Sequence, residues 1–383
     1  MKTIKKLVPA FFVLIIFVSS LMAACIMAFG SAKPPSDQAK AAVTADIPSE
    51  RHVFHSGQLR GVWVPYFSIS DGEPLGEYEF KRRWDDIIKT IKDNGVNAVF
   101  VHVRAHCDSA YPSDIFPDMD IYKMHETVRE YDPLQYMVES SHKNGIEFHA
   151  WINPYRIAAD KDSGSYEKVS ALLGADEIIE CESGLYIDPS SVRGRELITA
   201  GAKEIAENYA VDGIHIDDYF YPTGEEDADT GEWKSSSGMT FTQWRCANVN
   251  ELIKSLHDAV KSVDSEMLFG VSPQGNITND LDIGADVQAW CEGGYVDYIA
   301  PQIYYNSENP VCPFEKTADF WLDMAEKTGV KMYAGLALYK VGTDADGGTW
   351  DDESIIEEQE AYAKKIGGGG VILYSIDSLI NGG

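Results

Sequence analysis

The sequence has few basic residues for its size. Its 383 residues include 32 Lys and Arg against 61 Asp and Glu, which gives a formal net charge of −29. Nucleic acids are bound by clustered Lys and Arg, and anionic lipid surfaces by a basic face, so this balance argues against both kinds of partner. We expect no nucleic-acid partner, and contact with a membrane only through an N-terminal anchor.

Cysteine and cofactor motifs are scarce as well. One of the six cysteines, Cys25, lies near the N-terminus, and the other five are an odd number that cannot all form disulfides. No two cysteines form a C-x-x-C pair, which argues against a zinc–thiolate site. No G-x-G-x-x-G motif or P-loop follows a predicted strand. We therefore expect buried thiols, no resident metal and no cofactor.

The one long apolar run stands at the N-terminus, where three lysines in the first six residues precede residues 7–28. This order is typical of an export signal. Ala23-Ala24-Cys25 resembles the end of a bacterial lipoprotein signal, which predicts lipidation of Cys25. An uncleaved anchor and cleavage near residues 30–32 remain as alternatives. All three interpretations place the rest of the chain outside the cytoplasm, with residues 1–31 as signal or anchor and 32–56 as a flexible linker.

From residue 57 to 383, short β-rich runs alternate with helical patterns, which predicts one catalytic α/β domain. Eight alternating strands are the number in a (β/α)8 TIM barrel, whose active site forms at the carboxyl ends of the strands. We expect it to act as a monomer. The predicted strands are residues 60–64, 97–104, 146–153, 213–217, 267–272, 297–304, 331–338 and 370–375.

Strand alternation separates an apolar outward face from a polar inward one. In the third strand, Phe148, Ala150 and Ile152 share one face, while His149, Trp151 and Asn153 share the other. The same alternation predicts that several further polar or aromatic side chains point inward. These are Phe100, His102 and Arg104 in the second strand, His215 and Asp217 in the fourth, and Gln302 and Tyr304 in the sixth.

The most informative segment is the fourth strand and its continuation, residues 209–222, in which two carboxylates precede an aromatic run. An ionised carboxylate stabilises the oxocarbenium-like transition state of glycoside cleavage or attacks it. Asp217 is our candidate for this role, and we expect His215 to hydrogen-bond it and keep it ionised. Asp218 would accept a substrate hydroxyl or orient the substrate. A purely structural alternative is that both residues cap the next segment or pair with Arg.

The chain resembles the glycosyl hydrolase-like 10 family of bacterial barrel proteins. The resemblance covers roughly residues 57 to 380, and it implies a glycosidase-like (β/α)8 fold. For characterised relatives it implies cleavage of peptidoglycan glycan strands that have lost their peptides. The residues that carry it are Leu59-Arg-Gly-Val-Trp63, Val101-His-Val-Arg104, Tyr111-Pro-Ser113, His149-Ala-Trp-Ile-Asn-Pro-Tyr-Arg156, Asp212-Gly-Ile-His-Ile-Asp-Asp-Tyr-Phe-Tyr-Pro222, Gly270-Val-Ser-Pro273 and Tyr298-Ile-Ala-Pro-Gln-Ile-Tyr304.

Around the two aspartates we predict a set of residues that bind the substrate. Three arginines could receive the lactyl carboxylates of muramic acid or, alternatively, pair with acids at the barrel mouth. Three aromatic residues could stack on sugar rings or fill the core. The full set is Arg60, Trp63, Arg104, His149, Trp151, Asn153, Arg156, His215, Tyr219, Gln302 and Tyr304.

The general acid is not identified by any motif. The fourth strand is similar to the catalytic strand of family 18 chitinases, D-G-x-D-x-D-x-E, but His215 replaces one Asp and Tyr219 stands where the chitinases have Glu. An N-acetyl-assisted mechanism would therefore need a proton donor from elsewhere. The candidates are Glu147, Asp188, Asp282 and Asp286.

Two other functions compete with a glycosidase. His102-x-x-x-His106 together with the aspartate pair is similar to the metal site of polysaccharide deacetylases, although the chain order is reversed. A non-catalytic barrel that binds glycan at the cell surface is the other alternative.

Overall fold

The computed structural model describes residues 57–70, 74–119, 131–222, 233, 238–343, 345–352 and 354–382. Cys25 and residues 1–56, for which we predict a signal and a linker, lie outside this range. Among the described residues, no helix has both the length and the apolar character needed to cross a bilayer.

Eight parallel strands close into a barrel, so the predicted TIM-barrel fold is confirmed. Each predicted strand corresponds to an observed one, although the sixth is reduced to two residues. The barrel strands are β1 (Leu59–Val64), β2 (Ala98–Arg104), β3 (Glu147–Ile152), β7 (Gly213–Ile216), β8 (Leu268–Val271), β9 (Tyr298–Ile299), β10 (Lys331–Leu336) and β11 (Gly370–Leu373).

Helices follow the barrel strands and begin at residues suited to that position. The side chains of Asp132 and Ser191 cap two helices, and Thr240 forms a capping box with Gln243. The longer helices are α1 (Glu77–Asp93), α2 (Pro133–Lys143), α3 (Gly164–Leu173), α4 (Val192–Asn208), α5 (Phe241–Val263), α8 (Phe314–Thr328) and α10 (Ile355–Ile366). The shorter ones are α6 (Ile277–Asp282), α7 (Val287–Glu292), α9 (Ala345–Gly348) and α11 (Ile376–Gly382).

The strands bury their two faces in different cores, as the alternation of side chains predicts. Outward residues such as Val101, Ala150 and Ile216 pack in the large core between strands and helices. Trp63 and Phe100 belong to a second cluster inside the barrel. Residues toward the carboxyl ends of the inward faces are therefore held above a packed floor.

Two glycines make room for large side chains inside the barrel. A Cβ atom at Gly213 would lie 2.5 Å from Nδ1 of His149, and one at Gly270 would lie 2.1 Å from the Tyr298 ring. Because no real Cβ contact is that short, His149 and Tyr298 fit only opposite glycine.

A small antiparallel sheet, which strand periodicity does not predict, follows β3. It consists of β4 (Arg156–Ala158), β5 (Ile178–Cys181) and β6 (Gly184–Ile187), in the order β4-β6-β5. Its strands are only three or four residues long, too short for a periodic signal to stand out. The sheet places Arg156 and the β6 residue Tyr186 in the wall of the cavity described next.

Candidate active site

A cavity of about 580 Å³ lies at the carboxyl ends of the barrel strands, where active sites of this fold form. Residues from both the strand ends and the loops that follow them line it. The predicted site residues found in its lining are Trp63, Trp151, Asn153, Arg156, Asp217, Asp218, Tyr219, Gln302 and Tyr304. Most of the site residues that strand alternation and residue chemistry predict therefore lie together at this cavity.

Asp217 is buried and accepts hydrogen bonds from one side chain and from the backbone. The indole N–H of Trp151 donates to its Oδ2 at 3.1 Å. Oδ1 is buried and has no hydrogen-bond partner among the described residues. Burial, and then the negative charge of Asp218, raise the pKa of Asp217 well above its ordinary value.

Asp218 has a more polar environment than Asp217. The side-chain amide of Gln302 donates to its Oδ1 at 3.0 Å, and a hydrogen bond from the Gln274 side chain also favours its ionised form. Burial nevertheless raises the pKa of Asp218. Because two neighbouring carboxylates disfavour double ionisation, the pair is suited to hold one proton, and the amide donors at Asp218 favour the ionised form of that residue.

The expected role of His215 is wrong in two respects. His215 bonds to Trp63 and Tyr298, not to Asp217, and Asp217 is shifted toward its protonated form. The alternation places His215 inward as predicted, but one layer below the cavity. His149 is also fully buried, and neither histidine lines the cavity.

Aromatic side chains form much of the cavity wall. Trp151 stacks on His102 with ring centroids 3.9 Å apart and planes 4° apart. Burial lowers the pKa of His102 well below its ordinary value, so the imidazole is neutral, and its Nε2 has no hydrogen-bond partner among the described residues. Seven further Phe and Tyr side chains that are not in the predicted set line the cavity: Tyr66, Phe67, Tyr186, Phe220, Tyr221, Tyr339 and Tyr374. Tyr374 could have been found, because it follows the inward-facing Ile372 by two residues.

Arg156 supplies the one Lys or Arg side chain among the described residues of the lining. Its guanidinium lies 5.7 Å from the Tyr219 ring centroid, and its Nε is buried without a hydrogen-bond partner. No ion pair joins it to an acid within the described ranges. Nearby, the side-chain carbonyl of Asn153 is also buried without a donor. Both residues line the cavity, and each has a polar atom without a protein partner among the described residues.

Arg60 does not lie at the cavity. It alternates with the inward residues Leu59 and Trp63, so its side chain points outward near the amino end of β1. There it pairs with Glu360 of α10 at 2.9 Å and donates to the carbonyl of Asn94. Arg60 therefore lies on the outward face of β1, contrary to the prediction that it binds substrate.

Simple strand alternation also predicts the wrong orientation for the side chain of Arg104. The pairing of β2 with β3 shifts register between His102 and Arg104, which turns Arg104 outward beside Ile152. Its guanidinium lies 4.8 Å from the Phe116 ring, against α4. Arg104 is buried in the helical layer and does not line the cavity.

None of the four other acids suggested as proton donors lines the cavity. Glu147 accepts from His149 in the barrel interior, Asp188 accepts from the backbone of Ser190, and Asp286 caps α7. Asp282 is likewise absent from the described lining of the cavity. Within the described lining, Asp217 and Asp218 are the carboxylates in reach of a ligand.

In the part of the chain that the structure describes, no three His, Cys, Asp or Glu side chains are grouped so that they could hold a metal ion. His102 and His106 line the cavity with the aspartate pair, but His102 is stacked on Trp151 and His106 packs on Tyr66. The described cysteines are free thiols, three of them buried.

Residues 58–351 match the model of the family described as glycosyl hydrolase-like 10. The chain is 30% identical to the glycosyl hydrolase YngK of Bacillus subtilis over 82% of this chain and 67% of that protein. It is 29% identical to the glycosyl hydrolase DigH of Escherichia coli K12 over 75% of this chain and 74% of that protein.

Solved structures of low identity share the fold. The glycoside hydrolase domain of PgaB (BpsB) from Bordetella bronchiseptica superimposes with a TM-score of 0.59 at 14% identity, covering 85% of this chain and 95% of that one. The endo-1,4-beta-mannanase of Rhizomucor miehei gives a TM-score of 0.53 at 11% identity, covering 83% and 86%. From the family match and the curated relatives together, we conclude that the chain is a glycosidase and belongs to the glycosyl hydrolase-like 10 family.

Proposed function

We propose that this glycosidase cleaves peptidoglycan glycan strands from which the peptides have been removed. The observation that carries the proposal is the unpaired guanidinium of Arg156 in a cavity that also contains the Asp217–Asp218 pair. The lactyl carboxyl of muramic acid is an amide while a peptide is attached and becomes a free carboxylate when the peptide is removed. As the one Lys or Arg side chain in the described lining of the cavity, Arg156 would recognise that carboxylate.

The carboxyl pair supports hydrolysis with divided roles. Asp217, protonated by burial and by its neighbour, would donate its proton to the glycosidic oxygen as the bond breaks. Asp218, which accepts amide hydrogen bonds, would carry the negative charge that stabilises the oxocarbenium-like transition state. Water would then add to the anomeric carbon, and its proton would return to Asp217, so that the enzyme is regenerated. These roles reverse the one expected for Asp217 from sequence, because burial and the neighbouring charge decide which acid keeps the proton.

The proposed substrate fits an exported protein. Lipidation of Cys25 would tether the barrel outside the cytoplasm, with residues 32–56 setting its reach. In the native host, the wild-type chain would then fractionate with membranes and a Cys25→Ser chain would not. Normal acylation and cleavage of the Cys25→Ser chain would contradict this part of the proposal.

The experiment that tests the substrate compares three glycans: peptide-free strands, the same strands with the lactyl carboxylate converted to an amide, and chitin oligomers. Wild-type enzyme should produce new reducing ends fastest on peptide-free strands. Arg156→Met should lose most of that preference while keeping its rate on the amidated strands. A wild-type enzyme that does not distinguish carboxylate from amide would refute the role of Arg156.

Mass spectrometry of the same products separates the alternatives. Loss of acetyl groups without chain cleavage would indicate a deacetylase, and an unchanged polymer would indicate a binding protein. Activity that EDTA abolishes and zinc restores would also contradict the metal-free glycosidase proposed here.

A further inference from the structure

Exposed aromatic rings are concentrated at the rim of the cavity. Among the described residues, five Phe and Tyr side chains are strongly exposed, and three of them line the cavity. Phe67 is 53% exposed, Tyr219 is 43% exposed and Tyr339 is 46% exposed. Large apolar surfaces left in water at one place mark a binding surface.

These rings occupy different sides of the barrel mouth. Phe67 follows β1 and Tyr339 follows β10, and both strands neighbour β11. Tyr219 follows β7, which is four strands from β11 in either direction around the barrel and therefore opposite it. Asp217 directly follows β7 and lines the same cavity as Tyr219.

Two of the three rings at the rim, Phe67 and Tyr339, pack against other rings. Phe67 meets Tyr66 edge-on with centroids 5.4 Å apart, and Tyr66 in turn contacts His102. Tyr339 meets Tyr304 and Tyr374 edge-on at 6.0 and 5.9 Å. This packing restricts the orientation of Phe67 and Tyr339, which lowers the entropy cost of binding.

From this arrangement we infer that a glycan chain lies across the barrel mouth, with sugars on Phe67 and Tyr339 on one side and on Tyr219 and Arg156 on the other. The inference rests on the proposed function and extends it. A chain that is bound on both sides of the carboxyl pair is cut at internal bonds, and the enzyme would bind long strands better than short ones. Sugar rings stack their C–H faces on such aromatic platforms.

The test measures affinity against chain length in an Asp217→Asn background, which removes the proposed proton donor. The probes are peptide-free glycan disaccharide, tetrasaccharide and hexasaccharide with reduced ends. Affinity should rise with length. Adding Phe67→Ala or Tyr339→Ala should weaken hexasaccharide binding by about three- to tenfold and leave disaccharide binding unchanged. Phe67→Tyr and Tyr339→Phe, which keep the rings, should restore the wild-type dependence on length.

The matched control is Phe320→Ala. Phe320 is 45% exposed and packs edge-on against Trp321 at 5.6 Å, like the rings at the rim, but it lies on α8 away from the cavity. Phe320→Ala should change neither the affinity for the hexasaccharide nor the affinity for the disaccharide. Equal affinity for all lengths, or an equal loss for all lengths in the alanine variants, would overturn the inference.

Early products of the wild-type enzyme give an independent reading. Internal cleavage yields fragments of many lengths from the start, whereas release of one terminal unit at every time point would overturn the inference. Length-dependent binding that the alanine variants remove, without any cleavage by the wild-type enzyme, would support the platforms and refute the proposed function instead.

Discussion

Trp151 donates its indole N–H to Oδ2 of Asp217 at 3.1 Å, while Oδ1 of the same carboxyl has no partner among the described residues. One oxygen is thus fixed by the protein, and the other is buried without a protein partner among the described residues. This arrangement suits a proton donor, because the carboxyl is oriented and its second oxygen does not have to break a hydrogen bond to the protein before it reacts.

Replacing Asp217 by Asn should remove catalysis while preserving the shape of the site. The amide can still accept from Trp151 through its oxygen, but it has no acidic proton to give. We expect kcat to fall at least about a hundredfold and glycan affinity to stay near that of the wild type. Steady-state kinetics on peptide-free strands, with titration of the same glycan, checks both quantities. Turnover close to the wild-type rate would assign the proton to another group.

The alkaline limit of the activity should move in opposite directions in two variants. The charge of Asp218 raises the pKa of Asp217, so Asp218→Asn should lower that pKa and shift the alkaline limb to lower pH. The Trp151 hydrogen bond lowers the pKa of Asp217, so Trp151→Phe should shift the limb to higher pH. The residual kcat of each variant, measured across pH, tests the pair. A limb that moves the same way in both would show that it reports a different group.

Asp217→Asn should also make the folded protein more stable at neutral pH. Asp217 has a raised pKa in the folded state, whereas in the unfolded chain its pKa is about 3.9. Above about pH 4 the unfolded state can ionise this group more readily than the folded state, which lowers the stability of the fold. Thermal unfolding should show a higher Tm for the variant at pH 7, and the difference should disappear as the pH falls through about 4. An advantage that persists in acid would have another cause.

The sequence predicts the barrel strands that carry this site better than the orientation and the pKa values of individual site residues. All eight barrel strands follow from hydrophobic alternation, because each strand buries an apolar face against the helices. The same alternation fails at Arg104, since a one-residue change of register between β2 and β3 is not encoded in any local pattern. It also could not give the raised pKa of Asp217, which depends on burial by residues distant in sequence.

Arg104 should therefore be dispensable for activity, unlike Arg156. Its three guanidinium nitrogens are buried and have no hydrogen-bond partner among the described residues, while Phe116 contacts its face. Arg104→Met keeps a long flexible side chain and removes a poorly compensated buried charge. We expect kcat within about twofold of the wild type and a free energy of unfolding that is unchanged or raised by about 1 kcal/mol. A large loss of kcat without a loss of stability would return Arg104 to the site.

A continuous chain of hydrogen bonds below the cavity assigns the protons of two histidines. The indole N–H of Trp63 donates to Nε2 of His215, Nδ1 of His215 lies 3.0 Å from the Tyr298 hydroxyl, and that hydroxyl lies 3.0 Å from Nδ1 of His149. Nε2 of His149 then meets Glu147 at 2.9 Å.

An indole nitrogen can only donate, so every bond in this chain has a direction. Burial keeps His215 neutral by lowering its pKa, and it must therefore carry its proton on Nδ1 and donate to Tyr298. Tyr298 donates to His149, which carries its proton on Nε2 and donates to the carboxylate of Glu147. Nitrogen NMR of labelled histidine should find opposite tautomers at His215 and His149.

The variant Tyr298→Phe tests the same chain. It removes the hydroxyl and leaves both Nδ1 atoms without a partner, which should cost about 1–3 kcal/mol in the free energy of unfolding. Because the hydroxyl no longer selects a tautomer, His215 and His149 should show changed nitrogen shifts, while Tyr333→Phe, whose ring packs on Tyr298, should leave them unchanged. Equal tautomers at the two histidines in the wild-type protein would show that Trp63 does not set the direction of the chain.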